Sequence, residues 1–99
     1  MDKKLTSKKI IEKIKDEKAE LKKKGVKKIG LFGSYAKDKQ KNGSDVDFLI
    51  EFNEISANNF FGVLFFLEKL LGKKIDLVIE EDLKPELNYV KKEAKYVKI

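Results

Sequence analysis

Two aspartates separated by a single residue stand at the head of an apolar run. Asp45 and Asp47 flank Val46, and Phe48 to Ile50 follow directly. Alternate residues of a strand project from the same face, so we expect the two carboxylates side by side, about 7 Å apart. Carboxylates placed in this way repel each other unless a cation lies between them. Mg²⁺ typically takes one or two carboxylates together with water and substrate phosphates, so the pair indicates half of a magnesium site.

A third aspartate interrupts a second apolar run. Asp76 lies between Ile75 and Leu77 in the segment KKIDLVIEE. If this strand lies beside the first one, three carboxylates converge on one patch. Such a patch suits two-metal nucleotidyl transfer, in which Asp45 and Asp47 hold the ions that bridge a triphosphate. Asp76 would also hold metal and would position or deprotonate the attacking hydroxyl, so that no histidine is needed.

A glycine–serine pair precedes these aspartates and predicts a phosphate-binding turn. Gly33 lets the backbone approach a phosphate closely, and the Ser34 hydroxyl with nearby N–H groups can hold its oxygens. A helical turn that starts at Ser34 would direct its N-terminus at the anion. The pair alone is a weak signal, but together with Asp45, Asp47 and Asp76 it predicts a nucleotide triphosphate site.

The composition narrows the chemistry that the chain can perform. None of the 99 residues is Cys or His, which excludes disulfides and both thiolate and imidazole ligands. The net charge of +6, carried entirely by lysine, permits binding to polyanions. The lysines are dispersed, however, and no aromatic residues alternate with the denser group at residues 22–28. A solvated basic face is therefore favoured over a nucleic-acid-binding surface, which stays possible.

Nothing in the sequence predicts a membrane segment or a secretory leader. The N-terminus is charged, and the most apolar run, residues 60–67, is far shorter than the roughly 20 residues that span a bilayer. We therefore expect a cytoplasmic protein without membrane contact, which forms one domain over residues 1–99.

The hydrophobic pattern predicts an α/β (α+β) domain, a small mixed sheet of about three strands with helices packed against it. The predicted helices cover residues 7–24 and 56–71, with a last one that begins at Pro85 and directs Leu87, Val90 and Ala94 inward. The predicted strands cover residues 26–32, 45–52 and 74–79, and residues 37–44 form a polar loop. The tail, residues 96–99, is expected to form a short strand or to dock at an interface.

The predicted helix over residues 56–71 is apolar on nearly every face. A small domain cannot easily bury all of its side chains. The stretch from Phe60 to Leu71 is therefore expected to be mainly core, while its exposed flank could meet a partner or a second copy of the chain in a homo-oligomer.

The run LFGSYAKDKQKNGSDVDFLIEF, followed by KKIDLVIEEDLKPEL, resembles the minimal nucleotidyltransferase (MNT) family of the polymerase-beta-type nucleotidyltransferase superfamily. The family pattern is Gly-Ser, then Asp-x-Asp, then a third Asp in a later strand. Gly33, Ser34, Asp45, Asp47 and Asp76 match it. The resemblance covers nearly the whole chain and implies a catalytic core without the additional substrate-binding domains of larger members.

The resemblance also implies a biological role. MNT proteins are commonly encoded with a HEPN-domain ribonuclease toxin, which they silence as antitoxins. By this resemblance the chain binds ATP with two Mg²⁺ ions and transfers AMP to a tyrosine of the toxin. Relatives often read G-S-x-A-R-G, where this chain has Lys37 and Asp38. Lys37 keeps a positive charge near the phosphates without the bidentate fork of Arg, whereas Asp38 adds a negative charge and lacks the backbone freedom of Gly.

Two different functions are also compatible with these residues. A binding module would neutralise a partner toxin by contact alone, with the two departures from the family pattern marking a degenerate site. A basic nucleic-acid-binding domain would bind RNA or DNA in a salt-dependent manner through residues 22–28. Single acids can also serve structure alone, since Asp45 suits a turn and Asp76 suits an edge strand. Asp47, inside its strand, suits neither of these structural roles.

Overall fold

The computed structural model describes residues 5–99, which form a four-stranded sheet with helices packed on it. The strands are β1 (Val26–Phe32), β2 (Val46–Phe52), β3 (Ile75–Ile79) and β4 (Lys95–Lys98). The helices are α1 (Ser7–Asp16), α2 (Lys18–Lys23), α3 (Gly33–Ala36), α4 (Ala57–Leu71) and α5 (Tyr89–Glu93). Two turns of 3₁₀ helix, Glu80–Asp82 and Pro85–Leu87, connect β3 to α5.

The sheet is mixed, with the strand order β3-β2-β1-β4. β1 pairs antiparallel with both β2 and β4, and β3 runs parallel to β2. Helix α4 supplies the crossover connection that a parallel pair requires. The predicted α/β fold is confirmed, but the predicted count of about three strands is one short, because the C-terminal tail pairs with β1 as β4.

The hydrophobic core lies between one face of the sheet and the helices. Alternate strand residues point into it, including Leu31 of β1 and Phe48 and Ile50 of β2, each at most 1% exposed. Residues at helical spacing complete it from the other side: Ile10, Ile14, Leu21, Val63 and Leu67. The alternation along the strands and the helical spacing along the helices, both visible in the sequence, therefore account for the residues of the core.

The N-terminal helix predicted over residues 7–24 is two helices. Thr6 caps α1, because its hydroxyl oxygen accepts a 3.2 Å hydrogen bond from the Lys9 N–H. The break falls at Glu17, whose backbone (φ −108°, ψ 21°) leaves the helical region. Helix α2 continues from there and still buries Leu21.

Helix α4 is capped at both ends. The Ser56 hydroxyl oxygen accepts a 3.1 Å hydrogen bond from the Asn59 N–H, and Gly72 ends the helix with a φ of 64°. Phe61 and Phe65 are 50% and 62% exposed, because the sheet covers only one side of this helix. Association of copies through this flank stays a prediction. No helix within residues 5–99 is long and apolar enough to cross a bilayer.

The C-terminal region departs most from its prediction. In place of one helix from Pro85 there is a 3₁₀ turn followed by the short helix α5, and Leu87 is 38% exposed rather than inward. Residues 80–94 lead from β3 at one edge of the sheet to β4 at the other, and they contact β1 and β2 on the way. They therefore cross the face opposite to the main core, where Leu49 is completely buried.

Candidate active site

Two of the predicted aspartates lie side by side on neighbouring strands. Asp47 of β2 is in register with Asp76 of β3. Val46 and Phe48, on either side of Asp47, point into the core, so both aspartates lie on the opposite face of the sheet. Asp47 is half-buried and Asp76 is exposed. The structure thus brings Asp47 and Asp76 together. The sequence predicted this only on the condition that their two strands are neighbours.

Asp45 lies just outside the strand in which it was predicted. β2 begins one residue later, at Val46, and the side chain of Asp45 is exposed. Its charge still reaches Asp47, because it contributes to the raised pKa of that carboxyl group. Asp45 is therefore a loop residue at the margin of the pair.

The surroundings of Asp47 disfavour its negative charge. Burial is the largest of the causes that raise the pKa of Asp47 from 3.8 to about 6. The charge of Asp76, a hydrogen bond between the two carboxyl groups and the charge of Asp45 follow. None of the ion pairs within residues 5–99 brings a lysine to Asp47 or Asp76. Negative charge concentrated without a protein cation favours an external one.

The glycine of the predicted phosphate turn lies directly against Asp47. β1 ends at Phe32, which pairs with Asp47, and Gly33 follows with a φ of 74°. This backbone conformation favours glycine. A Cβ atom at Gly33 would also overlap the Asp47 Oδ2 atom and lie 3.1 Å from Cγ. Any side chain at this position would therefore displace the carboxylate.

The short helix α3 carries Ser34 and is attached to the core. Tyr35 and Ala36 are buried, and the Lys37 N–H donates a 3.2 Å hydrogen bond to the Ser34 C=O at the end of the turn. Gly33 and Ser34 are thus brought to the acid pair at the end of β1. Their contact with phosphate stays a prediction.

Asp38 has a structural role that its residue type alone did not indicate. Its φ of 54° lies in the left-handed region, at the position where the family pattern has Gly, and Asp tolerates this region. Its carboxylate accepts hydrogen bonds from the Ser7 N–H (2.9 Å) and the Ser7 hydroxyl (3.1 Å). Lys95 donates to the same hydroxyl (3.0 Å). The N–H bond from Ser7 is the main cause that lowers the pKa of Asp38. The added negative charge is therefore directed at the start of α1.

Lys37 forms an ion pair with Glu93 of α5, at 3.3 Å between Nζ and Oε2. The side chains are 53% and 48% exposed, so the pair contributes little to stability and can open at small cost. Binding of phosphate by Lys37 stays a prediction.

The acid pair fits a magnesium ion that is shared with a nucleotide. Within the described part of the chain, residues 5–99, no three acidic side chains form a ready metal centre. Mg²⁺ commonly takes only one or two carboxylates and completes its octahedron with water and phosphates. The raised pKa of Asp47 marks the point where a cation would relieve repulsion. Asp47 and Asp76 are the residues that would hold the ion.

Sequence reasoning missed the contacts that fix residues 80–94 to the sheet. Tyr96 donates a 2.6 Å hydrogen bond to Glu80. The Lys28 ammonium lies 4.4 Å from the centre of the Tyr96 ring and 3.5 Å from the Glu80 carboxylate. These residues belong to three different elements, so no local pattern in the sequence could indicate that they meet.

The fold, with an acid pair beside a glycine turn, defines a nucleotidyltransferase domain. The profile of the nucleotidyltransferase domain family matches residues 8–98, and the chain belongs to this family. The prediction of an enzyme of the nucleotidyltransferase class, with the minimal form of the fold, is confirmed.

Known proteins similar to this chain agree with that assignment. The protein adenylyltransferase MntA of Thermococcus cleftensis is 48% identical over 61 residues, which cover 61% of this chain and 62% of that relative, slightly less than two thirds of its length. A solved structure described as a minimal nucleotidyltransferase has a TM-score of 0.80 at 26% identity and covers 95% of this chain and 98% of its own. A structure of the tri-AMPylated HEPN toxin of Shewanella oneidensis in complex with MNT antitoxin has a TM-score of 0.55 at 22% identity. It covers 91% of this chain and 66% of its own, and it shows the fold alone.

Proposed function

We propose that the protein transfers AMP from ATP to a hydroxyl group of a partner protein, with Mg²⁺ as cofactor. The observation that carries this proposal is the in-register pair of Asp47 and Asp76, with Gly33 packed against Asp47. A phosphate turn beside two carboxylates is the arrangement that metal-dependent attack on a triphosphate needs. The relative named as a protein adenylyltransferase supports AMP as the transferred group and a protein as the acceptor.

The phosphate turn and its lysine bind the triphosphate. Gly33 and Ser34 follow β1 beside Asp47, and the backbone N–H groups of this turn with the Ser34 hydroxyl are the groups that hold the phosphate oxygens. Lys37 leaves its exposed partner Glu93 to neutralise part of the triphosphate charge.

The three aspartates bind the metal. Asp47 and Asp76 would hold the ions, two in all, and Asp45 would contribute from the loop before β2. The chemistry that Mg²⁺ would supply when bound there is neutralisation of the phosphate charge and a lower pKa of the attacking hydroxyl. Asp76 is the acid on the side away from the phosphate turn, and this position supports its proposed role as the acceptor of the hydroxyl proton.

The transfer is a displacement at the α-phosphorus of ATP. The acceptor oxygen forms a bond to this phosphorus while the bond to the oxygen that bridges the α- and β-phosphates breaks. Pyrophosphate leaves with that electron pair, and the hydroxyl proton passes to Asp76 and then to water. The products are pyrophosphate and an acceptor that carries AMP.

The partner is a HEPN-type toxin, so that the protein acts as an antitoxin. Support comes from the structure of the same fold that was solved with an AMPylated HEPN toxin and MNT antitoxin. A tyrosine as the acceptor and a cytoplasmic location are inferred from the sequence and its family resemblance.

The test is transfer of label to the protein encoded by the neighbouring gene. The chain, Mg²⁺ and this protein are incubated with ATP labelled at either the α- or the γ-phosphate. We expect label on the partner only from α-labelled ATP, an increase in its mass by whole AMP units, and loss of transfer in EDTA. Label from the γ-phosphate, or no label at all, would contradict the proposal.

Asp47→Asn and Glu51→Gln form a matched pair of variants for this test. Both residues lie on the same face of β2, but Glu51 pairs with Lys27 and Lys28 instead of an acid. Asp47→Asn should lower the transfer rate at least about hundredfold, while Glu51→Gln should stay near the unaltered protein. Toxin neutralisation that persists in Asp47→Asn would support inhibition by contact alone.

A further inference from the structure

A groove runs along the free edge of the sheet, next to the acid pair. Among residues 5–99, β3 is an edge strand that pairs only with β2. Between β3 and the start of α4 lies a groove of about 470 Å³. Its apolar wall consists of Ile55, Phe60, Phe61, Leu77, Val78 and Ile79. The groove therefore begins at the residue that follows Asp76.

The backbone of β3 has unpaired groups along this groove. The Val46 N–H donates a 3.0 Å hydrogen bond to the Lys74 C=O, and in a parallel pair alternate residues bond to the same neighbour. Asp76 therefore directs its N–H and C=O groups toward β2, whereas those of Leu77 and Ile79 point away from the sheet. Ile79 is also the N-cap of the 3₁₀ helix Glu80–Asp82, and the C=O of an N-cap accepts the first bond of its helix. Within residues 5–99 the outward groups left without a backbone partner are therefore the N–H and C=O of Leu77 and the N–H of Ile79.

We propose that an extended segment of the acceptor protein binds along β3 as an added strand and presents its hydroxyl to the acid pair. This inference rests on the proposed function and names how its substrate is recognised. The outward N–H and C=O groups of Leu77 and the N–H of Ile79 bond to the backbone of the segment, as in other cases of strand addition. Its side chains alternate, one set entering the groove and the other facing the side of Asp47 and Asp76.

The order of the phosphate turn, the two acids and the added strand across the sheet suits the geometry of AMP transfer. From β1 to the free edge the row contains the phosphate turn, Asp47, Asp76 and the added strand, at the usual spacing of about 4.8 Å between strands. A hydroxyl side chain opposite Asp76 reaches the acid pair from the side away from the triphosphate. Attacking and leaving oxygens must lie roughly in line on opposite sides of the phosphorus, and an acceptor on the β3 side of the acid pair with a triphosphate on the β1 side is compatible with that requirement.

The lining of the groove specifies an extended, apolar occupant. None of the described residues that line it is a lysine, so it offers no cation to the phosphates of a nucleic acid. A helix has already paired its own backbone groups, so it would leave the outward groups of Leu77 and the Ile79 N–H unsatisfied. We therefore expect apolar residues on both sides of the acceptor hydroxyl.

The test compares a charge placed inside the groove with one placed outside it. Phe61 lines the groove and Phe65, one turn further along α4, does not, although their exposures, 50% and 62%, are similar. Phe61→Glu should weaken binding of the protein encoded by the neighbouring gene at least about tenfold in calorimetric titration. Phe65→Glu should change it by less than about twofold, and neither variant should alter the affinity for a fluorescent ATP analogue.

A second groove variant and a hydrogen-exchange measurement test the proposal without depending on the folding of Phe61→Glu or on catalysis. Because Phe61 stacks on Phe65 at 6.2 Å, Ile55→Glu on the other wall serves as a second groove variant. Hydrogen exchange at the Leu77 and Ile79 amides should slow when the partner binds. Unchanged partner affinity in both groove variants, unchanged exchange at these amides, or no complex at all would overturn the proposal. Binding that depends on the groove without AMP transfer would support it and count against the proposed function alone.

Discussion

Two ends of one sheet face hold carboxylates in opposite electrostatic surroundings. At the acidic end (Asp45, Asp47 and Asp76), burial and then neighbouring carboxylates raise the pKa of Asp47 to about 6. At the other end, burial also acts to raise the pKa of Glu80, and it is the largest single effect there. The hydrogen bond from Tyr96 and the charge of Lys28 nevertheless hold that pKa below its usual value of 4.5.

The difference is not caused by a shortage of positive charge. The chain has a net charge of +6, and Lys28 lies on the same face of the sheet, yet it pairs with Glu51 and Glu80. A carboxylate that has a protein cation, such as that of Glu80, stabilises the fold, whereas the Asp47 carboxylate at the acidic end opposes it until an external cation binds. Residues that lower stability without structural benefit are a sign of a functional site.

The largest effect is expected when a carboxylate is removed from the acidic end. Asp76→Asn should lower AMP transfer at least about hundredfold, because it removes a metal ligand and the proton acceptor. Asp45→Asn should have a smaller effect, since Asp45 precedes β2 and lies outside the in-register pair of Asp47 and Asp76. Initial rates with α-labelled ATP at saturating Mg²⁺ measure both. Equal losses in the two variants would contradict this ranking.

At the other end of the face, loss of one hydrogen bond should lower stability and leave chemistry intact. Tyr96→Phe removes the 2.6 Å hydrogen bond to Glu80, so we expect the free energy of unfolding to fall by about 1 kcal/mol. This corresponds to about 4–8 °C in melting temperature for a domain of this size. Tyr89→Phe is the control, because Tyr89 is 57% exposed. Identical melting of the two variants would show that the bond contributes nothing.

At the acidic end, by contrast, removal of a carboxylate should raise the free energy of unfolding. Between pH 3.8 and about 6 the folded protein keeps a proton on Asp47 that the unfolded chain has lost. Stability of the metal-free protein therefore falls as pH rises through this window. Above it, Asp47→Asn should be more stable than the unaltered protein by at most about 1 kcal/mol, since solvent screens this half-exposed group. Melting in EDTA across this pH range measures the difference, and parallel curves would refute it.

Two controls sharpen this comparison of the ends. Glu80→Gln should be less stable than the unaltered protein above pH 4.5, and the difference should vanish as pH falls. The reason is that the lowered pKa of Glu80 contributes stability that is present above pH 4.5 and lost as pH falls through the folded value.

Mg²⁺ with ATP should raise the melting temperature of the unaltered protein more than that of Asp47→Asn. An equal increase in both would place the cation elsewhere.

The smallest effect is expected where the phosphate turn is attached to α1. Asp38→Asn keeps a residue that tolerates a φ of 54° and an oxygen that accepts from the Ser7 N–H, whereas Asp38→Ala keeps neither. The Ala variant should melt lower than the Asn variant and have a higher KM for ATP, because the turn loses its attachment. A KM for ATP that is the same in both variants would show that the turn is positioned without Asp38.

The parts of the fold that could be predicted have local determinants. The caps of α4, at Ser56 and Gly72, follow from residue type, and the alternation in β2 follows from period two. Prediction failed for residues 80–94, because their path is set by the distance between the two edges of the sheet. It also assigned Asp45 to β2, since a strand boundary depends on where pairing with the neighbouring strand begins.

The sequence by itself determined which functional groups this protein has for chemistry. Asp45, Asp47 and Asp76, a glycine–serine turn and the lack of histidine and cysteine together indicate a site for magnesium and phosphate. Only the tertiary structure decided that Asp47 and Asp76 share a register, that Asp38 faces Ser7 and that one edge of β3 is free. Residue type and spacing act locally, whereas the register of strands far apart in sequence depends on the packing of the whole core. A shift of one residue would turn Asp76 to the other face of the sheet.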